Sequence, residues 1–191
     1  VISISYLALT QELDEVGAAQ PGWQDWYRYF PWEDWRDGMP GVIAERIAPA
    51  LHAWSEAASD SVARSARWQR ASMTFGLDEH EWNEELVLQR YELLFEAGVV
   101  PEAGGEGDDA RAAQLLPGAA MSNDHRRILA TGMARLRAKI KYRPVVFELM
   151  PEEFSLLQLQ QTVEALAGRG LHKQNFRRLI EQQALVEETG Q

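Results

Sequence analysis

The sequence contains no cysteine, and this absence excludes several kinds of chemistry. Disulfide bonds, thiolate metal sites and a cysteine nucleophile are all ruled out for these 191 residues. No stretch approaches the roughly 18 consecutive apolar residues of a membrane-spanning helix. The chain has 4 histidines, none of them three or four residues from another, so no helical metal-binding pair is present. We therefore expect no metal site and no membrane contact, and the missing cysteines favour a cytoplasmic location.

Catalytic motifs are also missing, and we predict no catalytic residue in this chain. There is no serine nucleophile elbow. The glycines at 104, 105 and 107 lie in an acidic stretch that would repel phosphate, so they do not form a phosphate-binding loop. Asp124 beside His125 is typical of a helix N-cap rather than of an acid–base pair.

The chain is acidic overall, but its charge is unevenly distributed. It carries 19 Lys and Arg against 29 Asp and Glu, a formal net charge of −10. Residues 125–178 hold 11 of the basic and 4 of the acidic residues, which leaves 8 basic and 25 acidic residues elsewhere. A basic segment on an acidic body is typical of polyanion-binding modules. A solvated basic helix beside an acidic neighbour would give the same count.

Hydrophobic periodicity predicts an α+β protein that is mostly helical. The predicted elements before residue 150 are a strand at Val1–Leu9, helices at Pro40–Trp54, Asp78–Ala97 and Ser122–Ile140, a linker at Glu102–Gly118 and a short strand at Tyr142–Leu149. Since a single strand is not stable alone, we expect either that a partner sheet precedes Val1 in the natural protein or that another chain covers the edge of this strand. Pro49 should kink or divide the helix that contains it.

Two patterns within these elements allow more than one interpretation. Seven aromatic residues fall within thirteen positions: Trp23, Trp26, Tyr27, Tyr29, Phe30, Trp32 and Trp35. They fit a core or a dimer interface, or a pocket that stacks an adenine or nicotinamide ring with Arg28 or Arg36 near its phosphates. The helix from Ser122 has an apolar stripe, and its other positions are basic: Arg126, Arg127, Arg135, Arg137 and Lys139.

The segment after Pro151 has the order of a winged helix-turn-helix. Ser155 caps a predicted helix to Leu166, and two glycines, 168 and 170, allow a sharp reversal. A second helix is predicted at His172–Gln183, followed by a strand at Ala184–Gly190. In such modules the second helix enters the major groove, where Arg and Lys pair with guanine and Gln and Asn with adenine.

The second helix of this segment is expected to separate apolar from polar residues. Phe176, Leu179 and Ile180 should face inward, and the pairs Lys173–Arg177 and Gln174–Arg178 should share the opposite face. The DNA-binding candidates are Arg169, His172, Lys173, Gln174, Asn175, Arg177 and Arg178. A helical hairpin that serves dimer packing is the alternative interpretation.

These motifs resemble those of the Nudix-related transcriptional regulators of NAD metabolism. Leu149–Gln160 is similar to the start of their winged helix, and Leu171–Arg178, with its Asn-Phe-Arg-Arg core, is similar to their recognition helix. Upstream, Asp124–Leu129 with Arg135–Arg137 looks like the last helix of their Nudix-type domain, and Tyr6–Leu9 like one of its strands.

The resemblance implies a Nudix-like sensor domain at residues 1–144, represented by its C-terminal part, with a helical insertion at about 20–118. It implies a winged helix-turn-helix at residues 145–191. The implied function is a homodimeric regulator that binds double-stranded DNA of NAD-metabolism genes. Its implied effector is ADP-ribose or a related nucleotide, at residues that the sequence does not identify, and no catalytic cofactor is implied.

An intact Nudix box is not found in this chain. The nearest approach runs from Gly76 to Val99, but Phe95 stands in place of the central glutamate and Tyr91 in place of the arginine. The alternative function is therefore a Nudix hydrolase of ADP-ribose-like diphosphates whose catalytic box lies outside this chain. The third hypothesis is a structural dimerisation protein with a vestigial winged helix.

Overall fold

Helices dominate the computed structural model, which describes residues 6–9, 23–104, 116–142, 145–183, 186–187 and 189. The α-helices are α1 (Ala48–Glu56), α2 (Ser61–Phe75), α3 (Val87–Glu96), α4 (His125–Tyr142), α5 (Leu156–Ala167) and α6 (Lys173–Gln183). Shorter turns of 3₁₀-helix lie at Trp26–Arg28, Pro31–Glu33, Pro101–Ala103 and Val145–Leu149, and a π-helix at Ile43–Ile47. The mostly helical prediction is confirmed.

Extended pairing is scarce in the part of the chain that the structure describes. It is confined there to one parallel bridge between Trp35 and Arg169. Residues 6–9 of the predicted first strand have no regular secondary structure, and Val1–Ser5 lie outside the described residues. Val186, Glu187 and Thr189 of the predicted last strand are also irregular, and its other residues lie outside the description. Neither strand is therefore confirmed.

The first helical region changes its hydrogen-bond pattern near Pro49. The π-helix at Ile43–Ile47 leads directly into α1, and Pro49 occupies the first turn of α1. Proline is tolerated at that position because its missing N–H would have no partner within the helix. The predicted division of this helix at Pro49 is therefore observed as a change from π to α geometry.

The helix predicted at Asp78–Ala97 is wrong in its first half. Gly76 ends α2 with a left-handed φ of 61°, and Asp78 follows with a positive φ of 55°. The Asp78 carboxylate accepts hydrogen bonds from Ser72 Oγ (2.8 Å) and Trp68 Nε1 (3.1 Å), which hold this chain segment as a loop against α2. The helix begins only at Val87. Helix α2 itself was not predicted, since its apolar residues form no clear stripe.

Aromatic side chains build the core of the body, which is the part of the chain before residue 143. The buried residues are Tyr27, Phe30, Trp32, Ile43, Ile47, Leu51, Ala71, Phe75, Val87, Tyr91, Leu93, Leu94, Val100, Leu116, Ala130 and Met133. The core interpretation of the aromatic segment is thus confirmed for Tyr27, Phe30 and Trp32. Ile43, Ile47 and Leu51, on the predicted helix Pro40–Trp54, are fully buried in the same core and are therefore not available for contacts with a second copy.

The predicted linker Glu102–Gly118 is packed at both described ends. Glu102 is buried beside α4 and Leu116 is buried in the body core, while residues 105–115 lie outside the description.

A second correction concerns Tyr142–Leu149, which was predicted as a strand. Helix α4 continues to Tyr142 and a 3₁₀-helix follows at Val145–Leu149, because helical turns bring Val146 and Met150 together into one apolar cluster.

That second cluster is separate from the body core and lies under α5 and α6. Its buried members are Val146, Met150, Leu159, Phe176 and Ile180. Because both helices contribute buried residues, the pair packs around its own small core. We call α5, α6 and the turn between them the C-terminal helix pair.

Candidate nucleic-acid interface

Two side chains of α5 hydrogen-bond the backbone of the turn that leads to α6. The buried side chain of Gln160 donates to the carbonyl of Leu171 (2.9 Å), and the Glu164 carboxylate accepts from the Leu171 N–H (2.8 Å). At the other end of α5, Ser155 and Gln158 form a reciprocal capping box, as the predicted N-cap requires. Since these groups have little freedom, the direction of α5 sets the direction of α6.

Helix α6 has one buried and one exposed side. Phe176 and Ile180 are buried, with 7% and 6% of their surface exposed, as predicted. Leu179 was also expected to face inward, and this is wrong, since it is 48% exposed. It lies at the border of the apolar cluster, where it lines a groove rather than the core.

Four of the predicted DNA-binding residues share the outer side of α6. Lys173, Gln174, Arg177 and Arg178 are all exposed, whereas Phe176 is buried. They lie at helical spacing of three to four residues, which aligns their side chains along one face. Their exposure agrees with the predicted polar face, and their role in binding DNA stays a prediction. We call these four residues the outer face of α6.

The other three candidates lie on the inner flank of the turn and helix. His172, Asn175 and Arg169 line a groove of about 510 Å³ between the C-terminal helix pair and the body. The Arg169 guanidinium is 3.4 Å from the carboxylate of Glu84 in the body. The seven candidates thus fall into two groups, and Arg169 is already engaged by an acidic neighbour.

The outer face is basic and weakly paired. Arg177 Nε donates to the Glu181 carboxylate at 2.8 Å, in an exposed i,i+4 pair. Such pairs contribute only about 0.3–0.5 kcal/mol, so this one is easily exchanged for another anion. Arg178 and Lys173 form no ion pair with any of the described residues. These cationic groups are therefore accessible to a polyanion.

Helix α4 has fewer accessible basic groups than its sequence predicts, because two of its arginines are buried. Arg137 donates to the Glu33 carboxylate at 2.6 Å and to the Glu33 carbonyl at 3.1 Å. Arg126 pairs with Glu102 at 3.1 Å and also donates to the Tyr29 carbonyl. The prediction of a basic α4 surface is thus wrong for Arg126 and Arg137. Both are buried, and carboxylates from distant segments compensate their charge.

Glu33 stands between two guanidinium groups. Its carboxylate accepts two hydrogen bonds from Arg90, at 2.6 and 2.9 Å, besides the one from Arg137. Arg90 also lies 3.7 Å from the centre of the Trp82 ring, in a cation–π contact. All three charged side chains are fully buried. Burial lowers the pKa of Arg90, and the charge of Glu33 opposes that effect.

A second cavity adjoins the aromatic segment. It measures about 630 Å³ and its lining includes Trp26, Tyr27, Tyr29 and Arg36. Arg36 is held by Asp34 through two hydrogen bonds, at 2.7 and 2.8 Å, and its guanidinium lies over the Tyr27 ring. The hydrogen bonds from Arg36 lower the pKa of Asp34, and burial raises the pKa of Tyr27. That this cavity stacks a nucleotide ring stays a prediction.

The described residues contain no group of three or more His, Cys, Asp or Glu side chains that could hold a metal ion. Each helix in this part of the chain is also too short or too polar to span a membrane.

Comparisons with known proteins bear on the C-terminal segment. Residues 146–191 match the family model of the NrtR DNA-binding winged helix domain. The C-terminal segment is of winged helix type. Curated proteins similar to the chain include the ADPR responsive transcriptional repressor NtrR of Acinetobacter baylyi, which is 40% identical over 68 residues. That alignment covers 36% of this chain, and the chain spans about a quarter, 27%, of the relative's length.

Sequence reasoning missed the residues that attach the winged helix segment to the body. Tyr27 was noted only as one member of the aromatic segment, Arg137 as part of a basic stripe, and Glu33 was not noted at all. One signal was available: Glu33 and Asp34 are carboxylates set between Trp32 and Trp35. A carboxylate among large apolar residues is buried only when a cation accompanies it.

Proposed function

We propose that this chain is the DNA-binding part of a transcriptional repressor. The observation that carries the proposal is the outer face of α6, where Lys173, Gln174, Arg177 and Arg178 are exposed on a helix held rigidly by its partner. Helix α6 has 11 residues, so it is roughly 16 Å long, which suits insertion into the major groove. The match to the NrtR DNA-binding winged helix domain supports this assignment.

The chemistry of the outer face suits sequence-specific readout. Arg177 and Arg178 are able to donate two parallel hydrogen bonds to the acceptor edge of guanine, and Gln174 is able to pair with adenine. Lys173, in the first turn of α6, is suited to a phosphate contact. Both kinds of contact are needed, because phosphate contacts give affinity and position while base contacts give specificity.

We further propose that the full-length protein responds to ADP-ribose or a related nucleotide and regulates genes of NAD metabolism. The similarity to an ADPR responsive repressor supports this part of the proposal. A cytoplasmic location belongs to it as well. A homodimer is expected on geometric grounds, since a single recognition helix reads too few base pairs to select one operator in a genome.

The experiment is a fluorescence anisotropy titration of the full-length protein on labelled duplex DNA from upstream of its own operon. A scrambled duplex of equal length and composition is the control. We expect tighter binding to the upstream duplex by a factor of about 10³ or more, and release of the DNA by ADP-ribose. Equal affinity for both duplexes at several salt concentrations would contradict sequence-specific binding.

A further inference from the structure

The C-terminal end of α5 is held by the body as well as by its own cap at Gly168. The last carbonyl groups of any helix lack intrahelical partners. Here the Tyr27 hydroxyl donates to the carbonyl of Ala165 at 2.7 Å, and Arg137 Nε donates to that of Leu166 at 3.3 Å. The backbone N–H of Trp35 donates to the carbonyl of Gly168 at 2.6 Å.

Arg137 is in turn held in one position by acceptors on several segments. Besides Glu33 and Leu166, its guanidinium donates to the carbonyl of Glu84 (3.1 Å) and lies 3.4 Å from the Tyr27 hydroxyl oxygen. The donors of this guanidinium are directed in a fixed planar fork. Because Arg90 binds the Glu33 carboxylate as well, the side chains of Glu33 and Arg137 have little freedom to rotate. We call Tyr27, Glu33 and Arg137 the joint.

Gly168 allows the close approach that the joint requires. It ends α5 with a left-handed φ of 71°. A Cβ atom at this position would collide with the Glu33 carbonyl oxygen and the Arg137 guanidinium. The end of α5 therefore contacts the joint directly, with no side chain between them. A cationic group at this end of the helix is also favoured by the helix dipole.

We infer that Tyr27, Glu33 and Arg137 are positioning residues that set the direction in which α6 projects from the body. The joint fixes the end of α5, and the hydrogen-bonded turn passes that orientation to α6. The expected effect on DNA binding rests on the proposed function, since the orientation of α6 determines whether the recognition helices of two copies match the spacing of a DNA site. The orientation itself is measurable without DNA.

The test uses distance measurements by pulsed electron paramagnetic resonance in the full chain. Because the sequence has no cysteine, two introduced cysteines are the only attachment sites for spin labels. Gln69→Cys on α2 and Gln182→Cys on α6 report the distance from the body to α6. Gln69→Cys with Gln89→Cys on α3 reports a distance within the body. All three glutamines are exposed.

Tyr27→Phe is the principal variant, because it removes one hydroxyl and keeps the buried ring. Its matched control is Tyr29→Phe, whose hydroxyl makes no hydrogen bond to the described residues. We expect Tyr27→Phe to broaden the distance distribution from the body to α6 while the distance within the body keeps its width. Tyr29→Phe should change neither distribution. Glu33→Gln should broaden the distribution of the distance from the body to α6 further. Circular dichroism checks that this variant folds.

DNA binding gives the second readout. If the joint positions α6, Tyr27→Phe weakens binding to the upstream duplex severalfold without touching a DNA-facing residue. Unchanged distance distributions in both Tyr27→Phe and a folded Glu33→Gln would overturn the inference, whatever happens to affinity. Broadened distributions in a protein that binds no DNA would support the joint and reject the proposed function, so the two failures are distinguishable.

Discussion

Helices α4 and α6 are both rich in basic residues, yet they use them in opposite ways. In α4, Arg126 and Arg137 are buried against Glu102 and Glu33, where they hold segments of the body together. In α6, the arginines lie on an exposed face, whereas Phe176 is buried. Only the second arrangement leaves cationic groups for a partner. A count of basic residues along the sequence therefore overestimates the surface that meets DNA.

The difference between the two helices arises from what surrounds them. A guanidinium is buried only where carboxylate and carbonyl oxygens satisfy its donors. For Arg137 that carboxylate comes from Glu33, 104 residues earlier in the chain. Arg177 donates to Glu181, a residue of the same helix that is itself exposed. The same residue type is thus structural in one helix and accessible in the other.

Glu33→Gln is expected to have the largest effect among the variants that test this contrast. Glutamine keeps the shape of the side chain, but it leaves Arg90 and Arg137 buried without a compensating negative charge. Removing one partner of a buried ion pair destabilises a protein by about 3–5 kcal/mol. Urea denaturation followed by circular dichroism measures this loss.

Glu92→Gln is the matched control for that variant. Glu92 pairs with Arg127 of α4 at 2.6 Å, a distance similar to those at Glu33, but both side chains are largely exposed. An exposed pair contributes about 0–1 kcal/mol. Equal losses for the two variants would contradict the contrast between buried and exposed arginines of α4.

Phe176→Ala should also cause a large loss of stability, this time in the apolar cluster under α6. Truncation of a buried phenylalanine leaves a cavity and costs about 3–5 kcal/mol. Leu179→Ala is the control, since Leu179 lies on the same helix but is half exposed and should cost well under half as much. Thermal unfolding of both variants measures the difference. If Leu179→Ala were as destabilising as Phe176→Ala, the orientation of α6 described here would be wrong.

Arg178→Ala should affect DNA binding and leave stability unchanged. If Arg178 contacts a base edge, its loss costs about 1–3 kcal/mol of specific binding energy. The control is Arg127→Ala, which removes an exposed arginine from α4 and should leave affinity for the upstream duplex unaltered. Anisotropy titrations of both variants make the comparison. A similar loss of affinity for both would mean that α4 also faces the DNA.

The winged helix segment was the most predictable part of the molecule. Its signals are local: the Ser155 N-cap, the glycine at 168 and the periodic apolar residues of two short helices together define α5 and α6 to within a residue. The exposed residues of the outer face of α6 were predicted from the same apolar periodicity. Leu179 was misplaced because periodicity places it beside Phe176 but does not say where the apolar cluster ends.

The body was less predictable because long-range contacts determine it. Periodicity places Arg137 beside the apolar stripe of α4, four residues after Met133, but it does not reveal that Glu33, 104 residues earlier, allows its charge to be buried. The loop after α2 depends on hydrogen bonds from Ser72 and Trp68 to the Asp78 carboxylate, so the helix predicted from Asp78 begins only at Val87. The joint combines residues from the aromatic segment and from α4, which are about a hundred residues apart, so no single segment reveals it.

The smallest expected effect concerns Glu181, whose pair with Arg177 is the exposed counterpart of the buried pair at Glu33. Glu181→Gln removes an i,i+4 pair and should change the free energy of unfolding by no more than about 0.5 kcal/mol. It should also strengthen DNA binding slightly, because it removes a negative charge beside Arg177 and lowers the repulsion of phosphates. Gln182→Glu, which adds a charge one residue further on, should weaken binding by a similar amount. Titrations at low and high salt check the electrostatic origin, since both differences should shrink as salt screens the charges. If Glu181→Gln instead weakened binding at every salt concentration, the carboxylate would be holding Arg177 in place for the DNA rather than competing for it.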